Sequence, residues 1–96
     1  MKPLILSGRS LEDLEAILTY ISRDKPLAAL NFVNELRQQC DFLPTAPQIG
    51  ERRDDLAPGL RLITFRGYGI YYRELEDQLR VERVLHPSLD VGQQHF

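Results

Sequence analysis

The sequence holds a single cysteine, Cys40, in 96 residues. No intramolecular disulfide can form, and the chain suits a reducing compartment. Long apolar runs are also absent. Nothing approaches the ~20 residues that a membrane span needs, and the apolar part of Met1 to Ser10 is too short for a signal peptide. A cytoplasmic location without membrane attachment is therefore expected. Basic charge is scarce as well: 12 Lys and Arg face 14 Asp and Glu, a formal charge of −2. General electrostatic attraction, the usual source of nucleic-acid affinity, is missing, so strong direct nucleic-acid binding is not expected. Of the 12 basic residues ten are arginine, which suits fixed, directional contacts better than loose phosphate attraction.

Ligands for metals are few. His86, His95 and Cys40 are the only soft or borderline candidates, and no two have zinc-site spacing, so no metal or other cofactor is expected. There is no glycine-rich phosphate loop, since Gly67-Tyr68-Gly69 precedes no helix. The serines occupy no strand–turn–helix elbow. Cys40 falls on the apolar side of a helix, where it reads as a small buried hydrophobe.

What remains is 43% hydrophobic, enough for one modest core and one domain spanning 1–96. Leu4-Ile5-Leu6 reads as a short strand stopped by Gly8. Ser10 followed by Asp13 has capping-box spacing. Leu11, Leu14, Ile17, Leu18 and Ile21 then form one helical stripe ending near Arg23. Pro26 opens a second helix with Leu27, Leu30, Val33, Leu36, Cys40 and Leu43 on its inner side. The short link between the two implies an antiparallel hairpin. Residues 44–59 lose periodicity and read as a surface loop. Strands follow at 60–66, 70–74 and 79–86, joined by short hairpin connectors, and 88–96 reads as a polar tail. The expectation is an α+β fold, β-α-α-β-β-β, with the helix hairpin packed on one face of a mainly antiparallel sheet.

Arg61, Arg66, Arg73, Arg80 and Arg83 all fall on that sheet, and two accounts fit them. In the first they cover the solvent face of a one-sided sheet, paired with Glu74 and Glu82. In the second Arg61, Arg83 and His86 contact a phosphate or carboxylate, as RNA cleavage through a 2′-hydroxyl would require. Strand alternation separates Arg83 from His86, so one site forms only if a bulge intervenes or His86 lies past the strand end.

Several short pieces in fixed order carry a family resemblance. They are Lys2-Pro3 with Leu6-Ser7, Asp13-Leu14-x-x-Ile17-x-x-Tyr20, the Pro47-x-x-Gly50 turn, Pro58-Gly59-Leu60-Arg61, Ile70-Tyr71-Tyr72-Arg73, and Arg83-Val84-Leu85-His86 with Asp90. From Met1 to about Val91 the chain resembles a ParE-type toxin of the RelE/ParE superfamily of bacterial type II toxin–antitoxin systems. The resemblance implies a toxin that inhibits DNA gyrase and is neutralised by a cognate antitoxin, usually of ribbon-helix-helix type, in a higher-order complex. It makes Arg61, Arg83, His86 and Asp90 candidates for target contact, with no catalytic residue. The alternatives are a ribosome-dependent messenger endoribonuclease of the RelE type, with Arg61, Arg83 and His86 catalytic, or an inactive toxin-like domain that only binds its partner. Arg52-Arg53 is the nearest thing to a ribosome-binding basic cluster, and Glu51, Asp54 and Asp55 neutralise it. Pro87-Ser88-Leu89 departs from the small and basic residues of many members.

The helices carry more apolar residues than one buried stripe uses. Tyr20, Leu27, Ala28, Phe32 and Leu36 lie beside or beyond it, and a small domain commonly uses such a patch for a partner. Two accounts fit: an amphipathic antitoxin helix laid in this groove would bury them, or Phe32 and Tyr20 complete the domain's own core.

Overall fold

A computed structural model describes residues 1–96. In chain order the elements are β1 (Leu4–Leu6), α1 (Gly8–Ser22), α2 (Pro26–Phe42), a 3-10 turn (Leu43–Thr45), β2 (Glu51–Arg52), β3 (Leu60–Phe65), β4 (Tyr68–Glu74), β5 (Leu79–Leu85) and a second 3-10 turn (Val91–Gln93). The five strands form one sheet in the order β1-β5-β4-β3-β2. β1 lies parallel to β5, and every other pairing is antiparallel. This is the expected α+β architecture with one addition, β2, inside the segment read as loop. Glu51 and Arg52 pair with Leu62 and Arg61, and a two-residue strand leaves no alternation to read.

The start of α1 differs from expectation. Ser7, not Ser10, is the N-cap, and its Oγ accepts the Ser10 amide at 3.0 Å. Ser10 is buried in the first turn and returns its hydroxyl to the Ser7 carbonyl at 2.8 Å. The helix thus begins one turn earlier, which frees Asp13 from any capping role. The inner line of α2 also differs. Ala29, Leu36, Cys40 and Leu43 are buried, while Leu27 and Leu30 stand 76% and 51% exposed. At 3.6 residues per turn Leu27 lies roughly 200° around the helix from Ala29. Repeated three-residue steps drift off the face that seven-residue steps hold.

The β3–β4 turn is tighter than the predicted Gly67-Tyr68-Gly69 connector. Phe65 pairs with Tyr68, leaving Arg66 and Gly67 as a two-residue loop, both with positive φ, 49° and 86°. Left-handed geometry at both positions matches the right-handed twist of the flanking strands.

Between sheet and helices lies the main core: Leu14, Ile17, Leu36, Cys40, Leu43, Ile70, Tyr72, Leu79, Val81 and Val84. Tyr72 brings a hydroxyl into it. That hydroxyl donates to the Pro47 carbonyl and accepts the Gly50 amide, both at 2.9 Å. A Cβ at Gly50 would sit 2.6 Å from it, so the turn needs glycine there. The opposite face is not the bare solvent face of a one-sided sheet. Leu60, Tyr71 and Leu85 are buried there beneath Leu56 and Ala57 of the 53–59 loop and Val91 and Phe96 of the chain end. The segment read as a polar tail folds back onto the sheet because two of its few apolar residues find this cluster.

Cys40 provides a test of how tightly the helix–sheet layer is closed. Burial pushes its thiol up to about 11 from an ordinary 9.0. Between those values the unfolded chain loses the proton that the folded chain keeps, so the thiol's contribution to stability falls as pH rises through that window. At pH 8 the native thiol should resist an aromatic disulfide reagent and react in full after urea unfolding. Rapid reaction of the native protein would show the layer to be open.

Candidate functional site

β1 covers only half of the β5 edge, pairing Leu4, Ile5 and Leu6 with Leu79, Arg80 and Val81. Beyond Val81 the edge is closed by the start of α1. Ser7 donates its amide to the Val81 carbonyl at 3.0 Å and its Oγ to the Glu82 carbonyl at 2.8 Å. Nearly two turns on, Asp13 Oδ2 accepts the Val84 amide at 3.0 Å and Arg83 Nε at 2.7 Å, while Oδ1 accepts Arg83 Nη2 at 2.8 Å. The paired side chains are only 12% and 14% exposed, and the hydrogen bond to Asp13 holds the Arg83 guanidinium above its ordinary pKa. On its other side Arg83 Nη1 donates to the His95 carbonyl and Gln94 Oε1 at 3.2 and 3.3 Å. Arg83 is thus a structural rivet with every nitrogen engaged.

A bulge shapes this edge. Tyr71 pairs with Arg83 and Tyr72 with Val81, so Glu82 is the extra residue. The bulge keeps Val81 and Val84 on the same core-facing side, where strict alternation would turn Val84 outward. It precedes Arg83, however, and so does not bring Arg83 and His86 together. His86 lies just past the end of β5 on the core side. Its ring sits edge-on to Tyr68, 5.1 Å between centroids, and its Nδ1 accepts the Ser88 amide at 3.0 Å. With Nδ1 accepting, the neutral ring carries its proton on Nε2.

Arg61 is further away. It pairs with Tyr72, which pairs with Val81, and His86 lies five residues beyond Val81, roughly 16 Å along the strands at 3.3 Å each. Arg61 Nη1 donates to the Gly50 and Gln48 carbonyls at 2.9 and 3.4 Å and pins the 47–50 turn. Asp90 Oδ1 accepts the Gly92 amide at 3.0 Å and caps the last 3-10 turn. The set Arg61, Arg83 and His86 does not converge on one atom. Arg73 faces Glu82 at 3.0 Å, Arg66 in the β3–β4 turn faces Glu35 at 3.1 Å, and Lys2 rather than an arginine faces Glu74 at 3.4 Å. Arg52 and Arg53 are held by Asp54 and Asp55 at 2.8 and 3.0 Å. No three His, Cys, Asp or Glu side chains come together as metal ligands would, and no helix is long and apolar enough to cross a membrane.

The helix-hairpin residues divide. Tyr20 is 69% exposed and Leu27 more so, with Ala28 exposed beside it. Leu36 is fully buried and cannot meet a partner; it points along the same line as Ala29, into the core. Phe32 is half-buried, its ring 5.2 Å from Tyr68 and 6.2 Å from Phe65. Tyr20 also rims a groove of about 330 Å³ between α1 and the ends of β4 and β5, with Ile17, Tyr68, Val84, His86 and Leu89 among its walls. Sequence reasoning missed Ser7, Asp13, Tyr68 and Leu89. Asp13 was legible as a carboxylate in the first turns of a helix. Its partner Arg83 is 70 residues away, and no local spacing signals that pair.

Removing one member of the Asp13–Arg83 pair strands a mostly buried charge. Asp13→Asn should destabilise the fold by about 2 kcal/mol, since it keeps an acceptor for Val84 but loses the charge. Coupling it with Arg83→Met should recover part of that loss. Urea unfolding of the two single variants and the double variant measures both, and additive losses would contradict the pairing.

A model of the ParE toxin of type II toxin–antitoxin systems, of the parDE kind, matches residues 4–90. The toxin ParE1 of Caulobacter vibrioides is 29% identical over 91 residues, 94% of each chain. The toxin ParE1 of Mycobacterium tuberculosis is 33% identical over 64 residues, 66% of this chain and 65% of its own. Among solved structures, one described as a chromosomal ParDE TA system from P. aeruginosa superposes with a TM-score of 0.78 at 23% identity, covering 88% of this chain and 94% of that one. The match thus runs from β1, through the Ser7–Asp13 closure of the β5 edge, to Asp90, and this chain belongs to the ParE toxin family of type II toxin–antitoxin systems.

Proposed function

We propose that the protein inhibits DNA gyrase without catalysing a reaction of its own, and that a cognate antitoxin neutralises it. The observation that carries this reading is the dispersal of Arg61, Arg83 and His86. A nuclease needs a base, a phosphate clamp and an acid around one phosphodiester. Here the two guanidinium groups are spent on internal carbonyls and on Asp13, and His86 stands apart from both. The charge of −2, with Arg52, Arg53, Arg66, Arg73 and Arg83 each facing a carboxylate, also suits a protein target better than ribosomal RNA. His86 and Asp90, both exposed, remain the candidates for target contact. Gyrase works on the chromosome, which places the action in the cytoplasm.

Purified protein should abolish supercoiling by gyrase and leave cleaved DNA, and it should produce no messenger cuts in a translating extract. Site-specific cuts that vanish with Arg61→Ala would replace this reading with the nuclease one. Silence in both assays with the antitoxin still bound would leave a partner-binding domain.

The antitoxin follows from the family and from the P. aeruginosa relative, which was solved as a toxin–antitoxin system. A ribbon-helix-helix antitoxin, assembled with the toxin in a higher-order complex, suits the exposed row of Tyr20, Leu27 and Ala28, with Phe32 at its margin. Such a row fits the apolar face of an amphipathic helix. Leu27→Glu should leave the fold intact, because the side chain is 76% exposed, and should weaken antitoxin binding ~10-fold or more, about 1.4 kcal/mol. Calorimetric titration reads the change, and unchanged affinity would move the interface elsewhere.

A further inference from the structure

The chain end is held to the outer sheet face by few contacts. The Phe96 ring lies 4.9 Å from that of Tyr71, Val91 packs on the same cluster, and Arg83 Nη1 supplies the long hydrogen bonds to Gln94 and His95. Asp90 starts the segment with a cap on Gly92. Ordering six residues costs backbone freedom at every one of them, and the Val91 and Phe96 contacts, two long bonds to Arg83 and two backbone bonds within the segment's own turn offset only part of it. Beneath the segment, by contrast, Leu60, Tyr71 and Leu85 are 0%, 4% and 2% exposed and belong to strands fixed on their far side by the main core.

We infer that residues 91–96 form a displaceable strap that leaves the sheet by local opening, well before the domain unfolds. Opening removes Val91 and Phe96 from the Leu60, Tyr71 and Leu85 cluster, leaving Leu56 and Ala57 as its remaining cover, and frees an N–H of Arg83. That surface is apolar with one cationic donor at its margin, and it takes the chain's own end as its resident ligand. Arg83 keeps its Asp13 contacts when the strap leaves, so the donor stays aimed at the vacated face.

The protein contains no tryptophan, so Phe96→Trp gives the strap a signal of its own. In buffer the introduced indole should emit as a buried group. With rising urea it should shift to solvent-exposed emission at a lower midpoint than the far-ultraviolet circular dichroism of the same variant, independently of protein concentration. The unaltered full-length protein should take up an apolar dye over that same early interval, with a several-fold rise in dye emission. Coincident transitions would make the segment part of the cooperative fold and overturn the inference. So would an indole exposed from the start, a midpoint that depends on concentration, or an early interval without dye uptake.

Discussion

The structure depends on how the second half of the β5 edge is closed. A parallel first strand of three residues reaches only as far as Val81, and the backbone groups beyond it cannot be left unpaired in a nearly buried position. Ser7 and Asp13 supply the missing partners from the first turns of α1. That requirement fixes where α1 begins, which of its faces meets the sheet, and the placement of a carboxylate where only a guanidinium can neutralise it. Arg83 answers from the strand itself, and the bulge at Glu82 keeps Val84 in the core while Arg83 turns toward the carboxylate. Helix entry, strand irregularity and buried ion pair are one solution to one edge.

The same economy runs through the charged residues. An acidic protein with ten arginines has no positive field to offer, and most of its sheet cations already face a carboxylate or carbonyl. Arg61 is instructive. Its guanidinium has the chemistry of a phosphate clamp, yet it holds the 47–50 turn in place beside the Tyr72 hydroxyl. A guanidinium used in this way contributes to stability and has no free donor left at Nη1.

The helix hairpin shows which patterns are reliable. Leu14 and Ile17 of the expected α1 stripe are core, while Leu11, one three-residue step earlier in the first turn, is 48% exposed. Leu27 and Leu30 have the same composition as buried residues and lie on the wrong side of α2, while Ala29, the least conspicuous residue of the stretch, is fully buried. Hydrophobicity alone does not assign a face; angular position does. Leu36, grouped with the partner surface by composition, belongs to the interior for that reason.

By itself the sequence determined the order of elements, the antiparallel helix hairpin, the three-strand meander, the absence of membrane-length apolar runs and the family resemblance. All of these arise from periodicity, turn chemistry and short motifs within a few residues of one another. Only the tertiary structure decided the Asp13–Arg83 pair, the Glu82 bulge, the short β2 strand, the covered outer face and the separation of Arg61 from His86. These depend on which residues meet across tens of positions in the chain. Such meetings follow from the registers of β1, β4 and β5 and from the need to pair each buried backbone group, which no local window of sequence contains.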